Sequence, residues 1–263
     1  MDVGEENGVT TGRFERLDPA ERWMADGLRV SGRADLFVAE EVDMSQAQAA
    51  IQQLREAGIK ATYTHVFIKA AAVALARNPE LHQMVVGSRR FVPDSVDIGL
   101  SVAGSGVVAP VLVIKRAHRK TLEEIAEEVL TGAERVRTEN EQMLNGLRRR
   151  RWLVLTGSLR RLIIHTLMRS IKFRHRGVGT FQVSCLKDVD QFVPMLHASG
   201  AILGTGRVRD RVVAIDGKPQ VRSTVIITCC ADHAVWDGVR ATQFVRELKM
   251  LLQSDLLSAE APD

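Results

Sequence analysis

The residues best suited to chemistry lie in one short segment, Asp232-His233-Ala234-Val235-Trp236-Asp237-Gly238. It follows the apolar run Val225–Cys230, which reads as a buried strand. Imidazole titrates near neutral pH, so His233 at a strand end can act as a general base toward an acceptor. Asp237 can order the loop that holds the imidazole, and Gly238 lets the backbone turn sharply behind it. This HxxxDG pattern predicts a site for proton abstraction.

The same residues also have a purely structural interpretation. Asp and Gly are common in turns, and an Asp just before a helix accepts hydrogen bonds from the first backbone amides. In this alternative Asp237 caps the next helix and His233 is an ordinary turn residue. An isolated HxxxDG does not separate the two interpretations.

A second segment, Gly179-Thr180-Phe181-Gln182-Val183-Ser184, lies upstream. It resembles the GTFTIS segment of dihydrolipoyl acyltransferase catalytic domains and the F-x-V-S of chloramphenicol acetyltransferases, at a similar distance from the histidine. Four further segments resemble the dihydrolipoyl acyltransferases in the same order along the chain: Phe37–Asp43, Phe67–Leu75, Val96–Val111 and Ala201–Gly204. From about residue 27 to residue 253, the chain therefore resembles the catalytic domain of 2-oxoacid dehydrogenase (dihydrolipoyl) acyltransferases, within the chloramphenicol acetyltransferase-like superfamily.

The sequence departs from that family in three places. Ala234 stands where the dihydrolipoyl acyltransferases read DHR, and His-Ala-Val-x-Asp-Gly is closer to the chloramphenicol acetyltransferase version. Leu196–Ser199 replaces an NPPQ loop, so we expect a reshaped pocket. No lipoyl hairpin, subunit-binding domain or Ala/Pro-rich linker precedes residue 27, which leads us to expect a stand-alone enzyme.

The resemblance implies a mechanism without a covalent acyl-enzyme. His233 would take the proton from the acceptor, Ser184 would hydrogen-bond the tetrahedral oxyanion, and Asp237 would order the His233 loop. An acyl-CoA, most simply acetyl-CoA, would be the cosubstrate, with no permanently bound cofactor and with no CoA-binding residue assignable. Cys185, beside Ser184, is expected to be a buried inert thiol. Single-half members of these families form trimers with the active site between subunits, so a homotrimer is expected.

Three functions fit this resemblance. The first is a CoA-dependent acetyltransferase that acts on a small-molecule hydroxyl, similar to the acetyltransferases of bacterial polyketide (tetronate) pathways. The second is a core or scaffold subunit of a 2-oxoacid dehydrogenase complex. The third is a non-catalytic homologue, against which the retention of His233, Ser184, Asp237 and Gly238 argues.

Composition narrows the class of protein. A chain of 263 residues, 45% of them hydrophobic, can bury a substantial core. It has no apolar run long enough for a transmembrane helix, and its acidic N-terminus is unlike a signal peptide. Three cysteines favour a reducing cytoplasm over a disulfide framework, and no Cys/His cluster has metal-site spacing. The other six histidines, His197 being the least clear, are expected to be structural or exposed.

The net charge of +4 is unevenly distributed. Ten basic residues and no acidic ones lie between Leu147 and Arg176: Arg148, Arg149, Arg150, Arg151, Arg160, Arg161, Arg169, Lys172, Arg174 and Arg176. The rest of the chain is mildly acidic, which argues against a general nucleic-acid-binding surface. This basic insert, at about 143–177, has no counterpart in the families. Three interpretations remain: solvated surface helices, a membrane-surface helix, or a docking site for an acidic partner such as an acyl carrier protein.

Periodicity predicts the elements that must position these residues. Strands and helices mix without strict βαβ alternation, which predicts an α+β fold with a mixed sheet covered by helices mainly on one side. Helices are expected after Ser45, after Thr64 with an alanine face packed on the sheet, after the Thr121/Glu124 capping box, and over Ala241–Leu252. The last helix is expected to bury Ala241, Phe244, Val245, Leu248 and Leu252. Strands are expected over Val96–Ala103 and Val107–Ile114, and a hairpin is expected to join Val212–Ile215 to Lys218–Ile227 through Asp216-Gly217. In the insert, Leu159, Leu162, Ile163, Leu167 and Ile171 are expected to line one helical face. We expect tails at 1–20 and 257–263 around a single domain over 21–256.

Overall fold

The computed structural model describes residues 12–16, 35–104, 109–149, 157–196 and 198–254. The strands are Gly12–Arg16 (β1), Asp35–Asp43 (β2), Met84–Val86 (β3), Arg89–Pro93 (β4), Ile98–Ser101 (β5), Val111–Ile114 (β6), Phe181–Cys185 (β7), Ala201–Thr205 (β8), Arg209–Ile215 (β9) and Lys218–Asp232 (β10). The helices are Ser45–Glu56 (α1), Tyr63–Arg77 (α2), Leu122–Arg149 (α3), Gly157–Arg169 (α4), Ile171–Val178 (α5) and Gly238–Leu252 (α6), with a 3₁₀ turn at Ala117–Arg119.

A seven-stranded mixed sheet forms the centre of the molecule. Six strands follow the order β2-β10-β8-β7-β5-β6, and β9 pairs with the first half of β10. The pairs β5–β7 and β7–β8 are parallel, and the others are antiparallel. A small antiparallel sheet, β1-β4-β3, stands beside it. The mixed sheet confirms the predicted α+β fold.

Strand β10 sets the register between its two neighbours in the sheet. Its second half pairs with β2 on one side and β8 on the other, so Thr228 lies level with Ala39 and Gly204. Because both faces of this half are covered, its residues read as an apolar run rather than an alternation. The strand ends at Asp232, directly before the histidine of the motif.

Helices α2 and α6 pack against the sheet and bury small and aromatic side chains. The alanine face of α2 is buried, as the sequence predicts, and α2 contacts β5 and β7. Helix α6 contacts β2 and β10 and buries its predicted apolar face: Ala241, Phe244, Val245, Leu248 and Leu252. His233 therefore lies between the end of a core strand and the start of a core helix.

Several local predictions are confirmed. Thr121 and Glu124 form the capping box of α3, with each side chain accepting from the other's backbone N–H at 3.1 and 2.8 Å. The hairpin β9–β10 turns at Asp216-Gly217, both with positive φ, as a two-residue turn of this type requires. The β5 and β6 strands are shorter than expected.

The N-terminal segment and the insert differ from expectation. Within the expected N-terminal tail, residues 12–16 form β1 against β4, and the remainder of 1–20, like 257–263, lies outside the described residues. In the insert, the single helical face is wrong, because Ser170 interrupts it. The Ser170 hydroxyl accepts from Phe173 N at 3.3 Å, so Ser170 is the N-cap of a new helix, α5. Ile171, the first residue of α5, is buried.

Candidate active site

His233 lies on a tight turn at the end of β10, with an exposed side chain. Asp232 builds this turn. Its carboxylate accepts from Ala234 N at 2.9 Å, and its carbonyl accepts from Val235 N and Trp236 N at 2.9 and 3.0 Å. The backbone around the imidazole is thus fixed while the ring stays open to a ligand. Such a side chain can take a proton from a bound acceptor.

Trp236 anchors the turn in the core. The indole is fully buried and donates from Nε1 to the carbonyl of Leu81 at 3.0 Å. Its ring centroid lies 4.9 Å from that of Phe244 and 6.4 Å from that of Phe181. Aromatic contacts and a satisfied indole N–H together hold such a residue in one orientation. The exposed His233 is therefore followed, three residues along the chain, by a rigidly held tryptophan.

Asp237 is the N-cap of α6. Its carboxylate accepts from Arg240 N at 2.8 Å, and its carbonyl accepts from Ala241 N at 2.9 Å. The contact between the Asp237 carboxylate and Arg240 Nε is long, at 3.8 Å, and exposed, so it adds little. Asp237 thus holds the start of α6 through hydrogen bonds to backbone amides. The capping interpretation and the loop-ordering interpretation are therefore compatible.

Gly238 does not have the backbone role that its position in the motif suggested. Its φ is not positive, and a Cβ added there would meet nothing within 4 Å in this subunit. A sharp turn that only glycine can make is therefore absent at this position. A side chain at this position would extend into open space beside the start of α6, so nothing in this chain requires glycine there.

Ser184 lies in β7, half-buried, with Gly204 of β8 as its parallel neighbour. Among the described residues, its hydroxyl has no hydrogen-bond partner. A hydroxyl in this state can donate to an oxyanion that develops during a reaction. The strand fixes its position because β7 is bonded on both sides, by β5 and by β8.

Within this chain the structure does not bring Ser184 and His233 together. Ser184 lies level with Thr228 across two strand spacings, and His233 is five residues further along β10. At about 3.3 Å per residue and 4.8 Å per strand, the separation is roughly 15 Å or more. The two side chains cannot contact the same reacting carbonyl of a ligand in a single chain.

A chain of polar contacts joins the buried His82 to Asp232 at the start of the His233 turn. Nε2 of His82 contacts the Thr180 hydroxyl, and the Thr180 carbonyl accepts from Gly200 N at 2.9 Å. The Gly200 carbonyl in turn accepts from Asp232 N at 3.0 Å. This chain of bonds links a buried imidazole to the residue that builds the turn. Burial lowers the pKa of His82 to about 3, so the ring is neutral at neutral pH.

Other titratable groups show no sign of chemistry at this site. Cys185 is half-buried rather than buried, and desolvation raises the pKa of its thiol, so the thiolate is disfavoured. His65, His82 and His175 are buried, and His165 is exposed. His197 lies outside the described residues. Over the described ranges, no group of three or more His, Cys, Asp or Glu residues could hold a metal ion.

The sequence did not indicate the part that two residues play in holding His233 in place. Asp232 was quoted as part of the motif without a role, although a carboxylate just before a turn is a usual acceptor for the amide two residues on. That rule would have identified it. Trp236 had no comparable signal, because its partner is the carbonyl of Leu81, which is 155 residues away. The sequence indicated only that a bulky indole lies between the turn and the next helix.

A cleft of about 400 Å³ runs between β2 and α6. Its lining includes Val38, Met250 and Arg246, with Lys249 paired to Glu40. The lining begins at Thr242, a full turn beyond the start of α6, so the cleft does not include the His233 turn. The geometry assigns no CoA-binding residue there.

The family model of 2-oxoacid dehydrogenases acyltransferase (catalytic domain) matches residues 13–148 and 143–258. The chain is 26% identical over 232 residues to the dihydrolipoyllysine-residue acetyltransferase component of the acetoin cleaving system of Bacillus subtilis, covering 85% of this chain and 50% of that protein. It is 24% identical over 261 residues to the human mitochondrial succinyltransferase component of the 2-oxoglutarate dehydrogenase complex, covering 95% and 51%. The chain thus spans about half the length of these relatives.

Solved structures share the fold. The cubic core of the pyruvate dehydrogenase multienzyme complex superposes with a TM-score of 0.66 at 22% identity, covering 98% of this chain and 96% of that one. The dihydrolipoamide acetyltransferase of Azotobacter vinelandii, studied for the catalytic roles of a serine, a histidine and an asparagine, gives 0.65 at 22%, covering 97% and 95%. A chloramphenicol acetyltransferase gives 0.55 at 14%, covering 91% and 100%.

Proposed function

Because the chain belongs to the family of 2-oxoacid dehydrogenase acyltransferase catalytic domains and is an acyltransferase, we propose that it transfers an acetyl group from acetyl-CoA to the hydroxyl of a small molecule. The observation that carries this proposal is the exposed imidazole of His233 on a turn fixed by Asp232 and Trp236. Acyl transfer to a neutral hydroxyl needs such a base, held still and accessible.

The proposed reaction proceeds by direct attack. His233 takes the proton of the acceptor hydroxyl while the acceptor oxygen adds to the thioester carbonyl. Ser184 donates a hydrogen bond to the resulting oxyanion. The tetrahedral intermediate then collapses, the C–S bond breaks, and the CoA thiolate recovers the proton from His233. The products are the ester and free CoA, and no group on the enzyme is acylated.

The spacing of residues in a relative supports these roles. In the Azotobacter vinelandii acetyltransferase the histidine and the asparagine lie four residues apart, as His233 and Asp237 do here. The serine lies 52 residues before that histidine, against 49 residues between Ser184 and His233. Asparagine and aspartate are both strong N-cap residues, so Asp237 can fill the asparagine position as a cap.

We further propose a homotrimer in which His233 of one subunit faces Ser184 of the next. The separation of roughly 15 Å or more within one chain supports this arrangement, because the proposed mechanism needs both groups at one carbonyl. Closed rings of identical subunits repeat one contact at every interface, so each would carry one His233 and one Ser184. The open space at Gly238 is compatible with a neighbouring chain or ligand there.

We propose a hydroxyl as the acceptor because of the sequence next to His233. His233-Ala234-Val235 departs from the dihydrolipoyl acyltransferase pattern toward that of chloramphenicol acetyltransferases, and Leu196–Ser199 replaces the usual loop before β8. A polyketide carrying a tetronate hydroxymethyl group is the specific acceptor that we propose by analogy.

A second candidate is favoured by the relatives. Both curated relatives named above are dihydrolipoyllysine-residue acyltransferase components of multienzyme systems. In this candidate the chain is a core subunit of a 2-oxoacid dehydrogenase complex, and the acyl group moves between CoA and a dihydrolipoyl thiol.

A turnover assay with two acceptor classes tests the proposal. Purified protein is incubated with acetyl-CoA and either dihydrolipoamide or a panel of primary alcohols that includes a tetronate hydroxymethyl compound, and free CoA is measured by chromatography. Faster CoA release with an alcohol supports the proposal, and faster release with dihydrolipoamide supports the second candidate. No release with either acceptor would indicate a non-catalytic homologue. His233→Ala is the negative control, and Cys185→Ala is the matched variant that should keep full activity.

A further inference from the structure

Helix α4 exposes a row of large aliphatic side chains. Leu162, Ile163, Ile164 and Leu167 are 61%, 49%, 51% and 40% exposed, and Phe173 at the start of α5 is 49% exposed. We call these five residues the insert surface. At about 100° per residue, the four residues of α4 span an arc of about 200°, so they form one broad face. Single exposed apolar residues are ordinary, but a contiguous set marks an interaction site.

The insert surface lies in the most basic part of the chain. The ten basic residues between Leu147 and Arg176 have no acidic residue among them. Of these, Arg169, Lys172 and Arg176 lie on or next to the two helices with exposed side chains. The region combines exposed hydrocarbon with a stretch of sequence that is basic and holds no Asp or Glu, whereas the rest of the chain is mildly acidic.

The exposed aliphatic side chains and the basic residues together distinguish between the molecules that could cover the insert surface. A symmetric contact between two insert surfaces would bring like charges together, which is unfavourable. A contact with a different surface of a second copy is distinguished below by the oligomeric mass of the insert variants. Solvated surface helices would account for the cations but not for four exposed leucine and isoleucine side chains on one helix. An acidic protein would pair with the cations. A bilayer of anionic phospholipid satisfies both features, because its headgroups pair with Arg and Lys while its acyl chains receive the aliphatic groups.

We propose that the insert surface docks on the surface of an anionic phospholipid bilayer. Helix α4 has 13 residues, too few to span the hydrocarbon core, and over the described ranges no helix has the length and apolarity to cross a membrane. The helix therefore lies in the plane of the headgroups, with Leu162, Ile163 and Leu167 directed into the boundary with the acyl chains. This docking does not depend on the proposed reaction.

Co-sedimentation with vesicles tests the docking. The full chain is mixed with vesicles of phosphatidylcholine alone, or of equal parts phosphatidylcholine and phosphatidylglycerol, and the bound fraction is measured. We expect binding to the anionic vesicles to exceed binding to the neutral ones by on the order of tenfold, and to weaken with salt. Leu162→Gln/Ile163→Gln/Leu167→Gln and, separately, Arg169→Glu/Lys172→Glu should each reduce binding by on the order of tenfold.

Matched variants control for composition. Leu130→Gln/Val212→Gln/Val221→Gln removes three exposed apolar side chains elsewhere, and Lys218→Glu/Arg246→Glu reverses two charges outside the insert. Both should bind as the wild type does. Equal binding to both vesicle types would overturn the docking, as would insert variants that bind normally. Capture of an acidic acyl carrier protein but not of vesicles, or a changed oligomeric mass in the insert variants, would also overturn it by assigning the surface to a protein contact.

Discussion

Ser184 lies within the sheet and His233 on the turn that follows β10, two strand spacings and about five residues apart. That relationship follows from strand register alone. If both residues serve one reaction, the second residue must come from a neighbouring chain. Under the proposed mechanism, activity therefore depends on assembly.

Mixing two inactive variants should restore activity. His233→Ala lacks the base, at a cost of at least about 10²-fold in turnover, and Ser184→Ala lacks the oxyanion donor, at a cost of about 10²- to 10³-fold. When subunits of the two variants exchange in equal amounts, about one interface in four carries both intact residues, because each comes from a different chain. Turnover should recover to about a quarter of the wild-type value.

The control for that experiment is the extent of exchange. Native mass spectrometry of isotopically labelled and unlabelled subunits reports how many mixed assemblies form. Mixed assemblies without recovered turnover would show that the two residues do not meet across an interface. A fully active monomer in light scattering would contradict the trimer directly.

Asp237 should act through its cap and not through its charge. Asp237→Asn keeps an N-cap acceptor for Arg240 N, so stability and turnover should change little. Asp237→Ala loses the cap, which should cost about 1 kcal/mol of unfolding free energy and reduce turnover because the His233 segment loosens. Chemical denaturation and steady-state kinetics measure the two effects.

A cap remote from the site separates stability from positioning. Thr121→Ala removes a comparable cap at the start of α3 and should lower stability by a similar amount without a change in turnover. If Asp237→Asn loses as much activity as Asp237→Ala, the carboxylate charge itself takes part in the reaction and the capping account fails.

Trp236 should position the base through its indole N–H. Trp236→Phe keeps an aromatic ring in the cluster but leaves the Leu81 carbonyl without its donor, which typically costs about 1–3 kcal/mol. The turn should become mobile, and turnover should fall further than stability alone explains. Amide hydrogen exchange at residues 233–236, together with kcat, measures this.

Phe244→Leu provides the comparison for Trp236. It perturbs the same aromatic cluster without removing the Leu81 hydrogen bond. We expect a loss of stability with little additional exchange at the turn. Equal exchange and equal kcat in the two variants would mean that packing alone, and not the indole hydrogen bond, holds the turn.

The sequence predicted the parts of the fold that local pattern controls. The buried face of α6, the capping box of Thr121 and Glu124, and the hairpin at Asp216-Gly217 all depend on residues close together in the chain, and each was confirmed. The break at Ser170 was missed because apolar spacing continues through it while the serine hydroxyl begins a new helix. Ser170 shows that a capping residue inside an apolar pattern can divide one predicted helix into two.

The candidate site was less accessible to sequence reasoning. The identities of His233 and Ser184 came from family resemblance, whereas their separation became visible through the pairing of β7, β8 and β10. The support given by Trp236 and by Thr180 depends on contacts with distant segments. Tertiary contacts of this kind have no periodic signal along the chain, so the sequence alone could not supply them.

The final prediction concerns pH and His82. Burial lowers the pKa of His82 to about 3, compared with about 6.5 for an unperturbed imidazole. Below about pH 6.5 the unfolded chain binds a proton at this residue that the folded chain does not. The free energy of unfolding should therefore fall as pH falls from about 6.5 toward 3, by up to about 1.4 kcal/mol per pH unit from this residue.

The variant His82→Gln isolates this contribution. Glutamine can still contact the Thr180 hydroxyl but does not titrate, so unfolding free energy measured by denaturant between about pH 6.5 and 4 should depend less steeply on pH than in the wild type. His165→Gln makes the same substitution at an exposed position and serves as the matched control. Identical slopes in the wild type and His82→Gln would show that His82 is not a buried neutral imidazole. Because the Thr180–Gly200–Asp232 bonds connect this residue to the turn, acid should also raise amide exchange at 233–236 before global unfolding.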